Sequence, residues 1–192
     1  MYHYLFKKPP IDLRKVSCCL LTKDSVYPQE ILDNIAQYPF GEILILTNSD
    51  SPYRKHGLFK KAKYDYIYYQ DDDAICPIKE LVELSKPDIL NIAMKPKHIE
   101  IYKDKKMTMG LGWGSIFPKS LLKSLKKYTD IYGEDEVYKR ETERILTSLN
   151  YPQNRLSLNI VDLPSATNPD RLWRQPNHQD FLLIVEERCN NL

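Results

Sequence analysis

The stretch that decides the reading runs from Tyr64 to Ile75, YDYIYYQDDDAI. Five of the six residues Tyr64–Tyr69 are aromatic or β-branched, the composition of a strand. The chain then sets three carboxylates side by side, Asp71, Asp72 and Asp73, where they repel one another. An exposed turn tolerates such a run. A site for a hard divalent cation, which takes oxygen ligands, calls for it. Tyr66–Tyr69 therefore reads as a strand that ends in the acids.

The pattern on either side repeats this theme. Val16–Leu21, VSCCLL, is a short apolar run and reads as a buried strand. Pro28 to Tyr38 reads as a helix, with Ile31, Leu32 and Ile35 at helical spacing and Pro28 in the first turn. Gly41 opens a second strand, Ile43–Leu46, and SPYRKHGLFKKA (51–62) reads as a loop and a short helix. Beyond the acids, Ile78–Ser85 reads as a helix stopped by KPD, and DILNIAM (88–94) as a fourth strand. Strands alternating with helices predict an α/β fold with a mainly parallel sheet. Ligands of such sheets bind outside the carboxyl ends of the strands, where LTKDS, TNSD and QDDD all fall.

The second half is less regular. GLGWGSIFPKSLLKSL (110–125) carries three glycines and then a helix from about Lys119. YGEDEVYKRETERILTSLN (132–150) reads as a loop leading into a long helix, NRLSLNIVDL (154–163) as one more strand, and SATNPDRLWRQPNHQDF (165–181) as a loop. Neither a repeat nor a linker breaks the chain, so residues 1–192 read as a single domain with its core at about 16–178.

Composition narrows the class. The chain has 192 residues, 42% hydrophobic and 28% charged, with a net charge of +2, which is globular. Its apolar runs fall short of the roughly 20 residues that span a bilayer, and MYHYLFKKPP is not a secretory signal. A cytoplasmic protein without a membrane attachment is expected. Four cysteines, Cys18, Cys19, Cys76 and Cys189, form no CxxC pair and read as core or surface thiols. Lysines cluster at 60–63, 95–106 and 119–127. These are solvated faces or a surface for a polyanion such as nucleic acid.

The ordered set VSCCLLTKDS, EILILTNSD and YRKHGLFKKAKYDYIYYQDDD resembles the GT-A glycosyltransferases of the family-two-like branch, departing at His56, where that family often has Asn. The resemblance continues through GLGWGSIFPKSLL, like the family's Gly-rich acceptor-side segment, YGEDEVYKRE, like its Glu-Asp pair at a helix start, and DRLWRQPNH, like its C-terminal loop over the donor diphosphate. It covers about Val16 to His178. It implies a GT-A, Rossmann-like domain. It also implies a metal-dependent, inverting transfer of a sugar from a nucleotide-sugar, a UDP-sugar first, to a hydroxyl.

Each role implied by the resemblance has a plain alternative. Asp73 would bind Mn²⁺ or Mg²⁺, with His178 as second ligand or else an ordinary loop histidine. Asp71 would contact the donor ribose or a metal-bound water, with Asp72 beside it on the donor side. Thr22 and Asn48 would meet the nucleobase. Arg54, Arg171 and Arg174 would meet phosphate or simply be surface charge. Asp135 would be the general base, oriented with Glu134, or both are acids favoured at a helix N-terminus. Trp113, flanked by Gly112 and Gly114, would stack on the acceptor.

The acceptor is the least legible part. The short chain and its lysine clusters resemble bacteriophage enzymes that glycosylate 5-hydroxymethylpyrimidines in double-stranded DNA, acting in the host cytoplasm, and that acceptor leads over a glycan, a lipid-linked or a small-molecule one. A nucleotidyltransferase fits less well, because LLTKDSVYP contains no glycine. A nucleotide-sugar-binding module without turnover remains the other class.

Overall fold

The computed structural model describes residues 10–49, 54–108, 110–167 and 174–192. Among them, a six-stranded sheet has the order β2-β1-β3-β6-β5-β7, built from β1 (Val16–Leu21), β2 (Glu42–Leu46), β3 (Tyr66–Asp71), β5 (Asn91–Met94), β6 (Ser115–Pro118) and β7 (Asn154–Ser157). Only β6 runs against the others, wedged between β3 and β5. The expected mainly parallel α/β architecture is therefore present.

Alternation along the central strands sorts the core into two layers. Cys18 and Leu20 of β1 and Tyr68 of β3 face one layer with Ile31 and Ile35 of α1 (Gln29–Ile35) and Ile78, Leu81 and Val82 of α3 (Ile78–Leu84). Cys19 and Leu21 of β1 with Ile67 and Tyr69 of β3 face the other. That second layer holds Leu58 and Phe59 of α2 (Arg54–Lys61), Leu125 and Tyr128 of α5 (Lys123–Tyr132), Val137, Tyr138, Ile145 and Leu146 of α6 (Glu136–Leu149), and Val185 of α7 (His178–Asn190). The adjacent thiols Cys18 and Cys19 thus point into opposite layers, and burial pushes both up, Cys19 to about 12.

Several expectations are corrected. α1 ends at Ile35 rather than Tyr38. β6 lies inside the Gly-rich segment, where SIFP is too short to show a period; pairing with β3 and β5 makes it a strand. α4 (Pro96–Tyr102) also went unread. The single strand expected over 154–163 is two, since β8 (Val161–Asp162) leaves the main sheet to pair with β4 (Ala74–Ile75) just after the acids. His178 opens α7 instead of lying in a loop.

Gly114 has φ +114, a backbone region costly to any other residue, and a Cβ there would meet the Cys76 Cβ at 2.8 Å. Gly114→Ala is expected to lower stability by about 3 kcal/mol, from backbone strain plus overpacking. Urea denaturation of the variant against the wild type checks this.

Candidate active site

The acidic turn is held from every side by its backbone. The Tyr27 hydroxyl sits 3.1 and 2.9 Å from the carbonyls of Gln70 and Asp71. The Asp71 N–H donates to the Gly112 carbonyl at 2.8 Å, and the Leu163 N–H to the Asp73 carbonyl at 2.8 Å. Ser165 Oγ donates to the Asp72 carbonyl at 2.8 Å. Buried Gln70 bridges the turn, donating to the Ala74 carbonyl at 2.6 Å while accepting from the Tyr68 hydroxyl. The β4–β8 pair closes the far side.

Asp71 ends β3, and Asp72 and Asp73 form the turn after it, where different partners separate the carboxylates. Asp72 turns toward β1, where Thr22 Oγ1 donates to its Oδ2 at 2.6 Å. Asp71 falls on the face of Tyr69, whose hydroxyl donates to Asp71 Oδ1. Gly112 is required here, because a Cβ at that position would collide with the Asp71 carboxylate. The expected donor-side residues of the first two strands form one ledge: Ser49 N–H donates to the Thr22 carbonyl at 3.0 Å and Asn48 N–H to the Asp24 carbonyl at 2.9 Å, with Asn48 at φ 51. Arg54 starts α2 and lines an open cavity of about 300 Å³ with Leu46, His56, Gly57, Lys60 and Lys61.

Facing Tyr69 and Asp71 lies a buried charged cluster that the sequence did not announce. Lys55 of α2 has a side chain only 6% exposed, pairs with Glu143 of α6, and stands 5.0 Å from the centroid of the Tyr69 ring. Burial pushes its pKa down, while Asp71, Glu141 and Asp73 pull it up and Arg144 opposes them. The Glu143 Oε2 also accepts from the Leu111 N–H at 2.6 Å, tying α6 to the Gly-rich segment. Glu141 lies at a kink in α6, 3.0 Å from Arg144 Nε and 3.2 Å from His178 Nδ1. Arg144 in turn donates to the Thr108 carbonyl at 2.8 Å.

These contacts show where four of the expected residues sit. His178 is buried against Glu141 and Arg144, so its ring is committed to α6 rather than to a cation at the acids. Asp135 caps α6, accepting from Tyr138 N–H at 2.9 Å, and its other oxygen pairs with Arg188 Nη1 at 2.7 Å. Partial burial raises its pKa, but the Tyr138 N–H and the Arg188 guanidinium outweigh that and hold it below the usual 3.8. Arg188 follows His178 by ten residues on α7, about 15 Å along the axis. Asp135 therefore caps α6 and ties it to α7, and the charge of Glu134 beside it raises the His56 pKa against burial and Lys60. Trp113 is partly buried, with the Lys95 ammonium 4.7 Å over its ring and His98 edge-on at 4.9 Å, so one face is already taken. Arg174 is exposed just before α7; Arg171 lies outside the described residues.

The lysine clusters also separate. Lys119 Nζ donates to the carbonyls of Lys60 and Ala62 at 3.1 and 2.7 Å, joining two clusters at the start of β3. A six-residue strand puts that edge about 20 Å from the acids at its end. Lys95 follows β5 and lies at the carboxyl edge, where it pairs with Asp162.

For a divalent cation, Asp71 and Asp73 are the two acids of the triplet whose charge acts on Lys55. No group of three or more His, Cys, Asp and Glu side chains suited to a metal occurs among the described residues. Two carboxylates, completed by phosphate oxygens and water, suit Mg²⁺ or Mn²⁺. No helix among the described residues is long and apolar enough to cross a membrane. No family model matches the chain, and no curated protein matches it significantly.

His56 gives this site a pH signature. Its Nδ1 is 3.1 Å from the Tyr138 hydroxyl. Burial and then Lys60 push its pKa down to about 4, with Glu134 opposing. A histidine depressed on folding contributes stability above its unfolded pKa of 6.5 and loses it as pH falls toward 4. Stability by urea denaturation is therefore expected to fall from pH 6.5 to pH 4, and the slope should flatten in His56→Gln.

Proposed function

We propose that the protein is a glycosyltransferase that uses a divalent cation, held by Asp71 and Asp73, to transfer a sugar from a nucleotide-sugar to a hydroxyl. The observation that supports this is the pinned strand end, whose Asp71 and Asp73 charges act on Lys55 in the charged cluster it forms with Glu141, Glu143 and Arg144. A bound cation supplies Lewis-acid stabilisation of the departing diphosphate. The chain's own part is to present the carboxylates without further reorganisation. The Thr22–Asn48 ledge supports donor binding beside them.

The base is reassigned. Glu143 stands between Lys55 and the Gly110–Gly112 segment, on the acceptor side implied by the resemblance, whereas Asp135 is committed to its helix. The acceptor to test first is 5-hydroxymethylpyrimidine in DNA, supported by the one lysine segment, from Lys95, that stands at the same edge as the acids. One observation favours a second reading, a nucleotide-sugar-binding module without turnover: Asp71, Glu141 and Glu143 already have protein partners.

A panel of nucleotide-sugars with Mn²⁺, incubated with and without such DNA and read by mass spectrometry of nucleosides, separates these readings. Transfer to the modified base supports the full proposal. Nucleotide diphosphate released without DNA product discards the DNA acceptor alone, and donor binding without turnover selects the module. Asp73→Ala is expected to lose Mn²⁺-dependent donor binding. Glu143→Gln should keep donor binding and lose about 100-fold or more in turnover, while Asp135→Asn stays within a few-fold of wild type.

A further inference from the structure

Lys55 has no place among the roles that the sequence suggested, yet it is the buried cation of the site. Five contacts close a ring that passes through it. Its ammonium pairs with Glu143. Glu143 accepts from the Leu111 N–H. The next residue, Gly112, takes the Asp71 N–H on its carbonyl. Asp71 in turn accepts from the hydroxyl of Tyr69, the ring over which Lys55 stands at 5.0 Å. Lys55 therefore touches both walls of the site, the acidic strand end and α6.

The charge around it explains why it stays there. Asp71, Asp73 and Glu141 all attract its ammonium, and Glu143 bonds it directly. A buried ammonium is strongly disfavoured unless paired, and so is the buried Glu141 carboxylate. The lysine is thus the counter-charge that the carboxylates carry with them when the chain folds.

We propose that the Lys55 ammonium is the resident cation of the acidic turn, and that a divalent cation binds Asp71 and Asp73 in competition with its charge. The inference rests on the metal-dependent reading above and adds to it a built-in competitor that sets how tightly the metal is held. The competition has a direction that a purely structural lysine would not produce. Neutralising Lys55 removes a positive charge from the cation's surroundings, so metal binding strengthens. A lysine that only braces the fold would, on removal, loosen the carboxylates and weaken metal binding.

The test is Mn²⁺ affinity measured by calorimetry and by electron paramagnetic resonance of free Mn²⁺, without donor or acceptor. Lys55→Met and the more polar Lys55→Gln are expected to bind Mn²⁺ roughly tenfold or more tightly than wild type. Lys55→Arg should stay within a few-fold, and Asp73→Ala should lose binding. Equal or weaker binding by folded Lys55→Met or Lys55→Gln overturns the inference and leaves the glycosyltransferase reading intact. Absence of Mn²⁺ binding to the wild type overturns the inference, and absence that persists with a nucleotide diphosphate present overturns the metal-dependent reading as well. Should neither neutral variant fold, the wild type decides through acetylation of Lys55 read by peptide mass spectrometry. Faster labelling on adding Mn²⁺ supports displacement of the ammonium, and an unchanged rate overturns it.

Discussion

Everything at the carboxyl edge depends on one constraint, the immobilised backbone from Gln70 to Ala74. Three adjacent carboxylates repel, and a free turn would splay them into water. Here Tyr27, Gly112, Leu163 and Ser165 each bond to the main chain of that turn, and Gln70 spans it from within. With the backbone fixed, the side chains have no choice of face. Asp72 is delivered to Thr22, and Asp71 to Tyr69 and Gly112. The partners come from distant parts of the chain, so the turn also stitches the first strand, the Gly-rich segment and the 161–165 segment together.

The second consequence is electrostatic. One layer of the core ends in a packed set of ions in place of hydrophobic contact: Lys55, Glu141, Glu143, Arg144 and His178. Burying ions costs more than their pairing commonly returns, so stability alone is a poor reason for such a cluster. It fits a site whose charge must be present before a ligand arrives. The kink at Glu141 in α6 belongs to the same arrangement, since it lies where the helix passes His178 and where Glu141 pairs with Arg144 of the next turn.

Much of the central sheet was legible in the residues. VSCCLL, EILIL and YIYYQD are rich in aliphatic and aromatic residues, and each falls in an observed strand, the first two followed by a helix and the third by the short β4 and then a helix. The acidic triplet announced a strand end for the same reason, because three carboxylates cannot continue a buried strand. β6, with only SIFP, carried no period to read, and neither did β8 with its two residues. α7 was hidden behind a Pro- and Asn-rich stretch that does precede it. Lys55 and Glu143 looked like ordinary surface charges, since nothing local marks a lysine or a glutamate as buried.

By itself, then, the sequence determined the alternation of strand and helix, the layer each central side chain enters, and the strand end at which the acids stand. All of these follow from periods of two and of about 3.6 residues and from the cost of burying charge. The tertiary structure decided which acids face one another and which are spoken for. Asp135 and Asp73 are indistinguishable as letters. One is taken by Arg188 and a helix end because α7 lies antiparallel to α6, and the charge of the other acts on Lys55, which α2 brings over Tyr69 of β3. Pairings of that kind are set by packing between segments far apart in the chain, which no local pattern encodes.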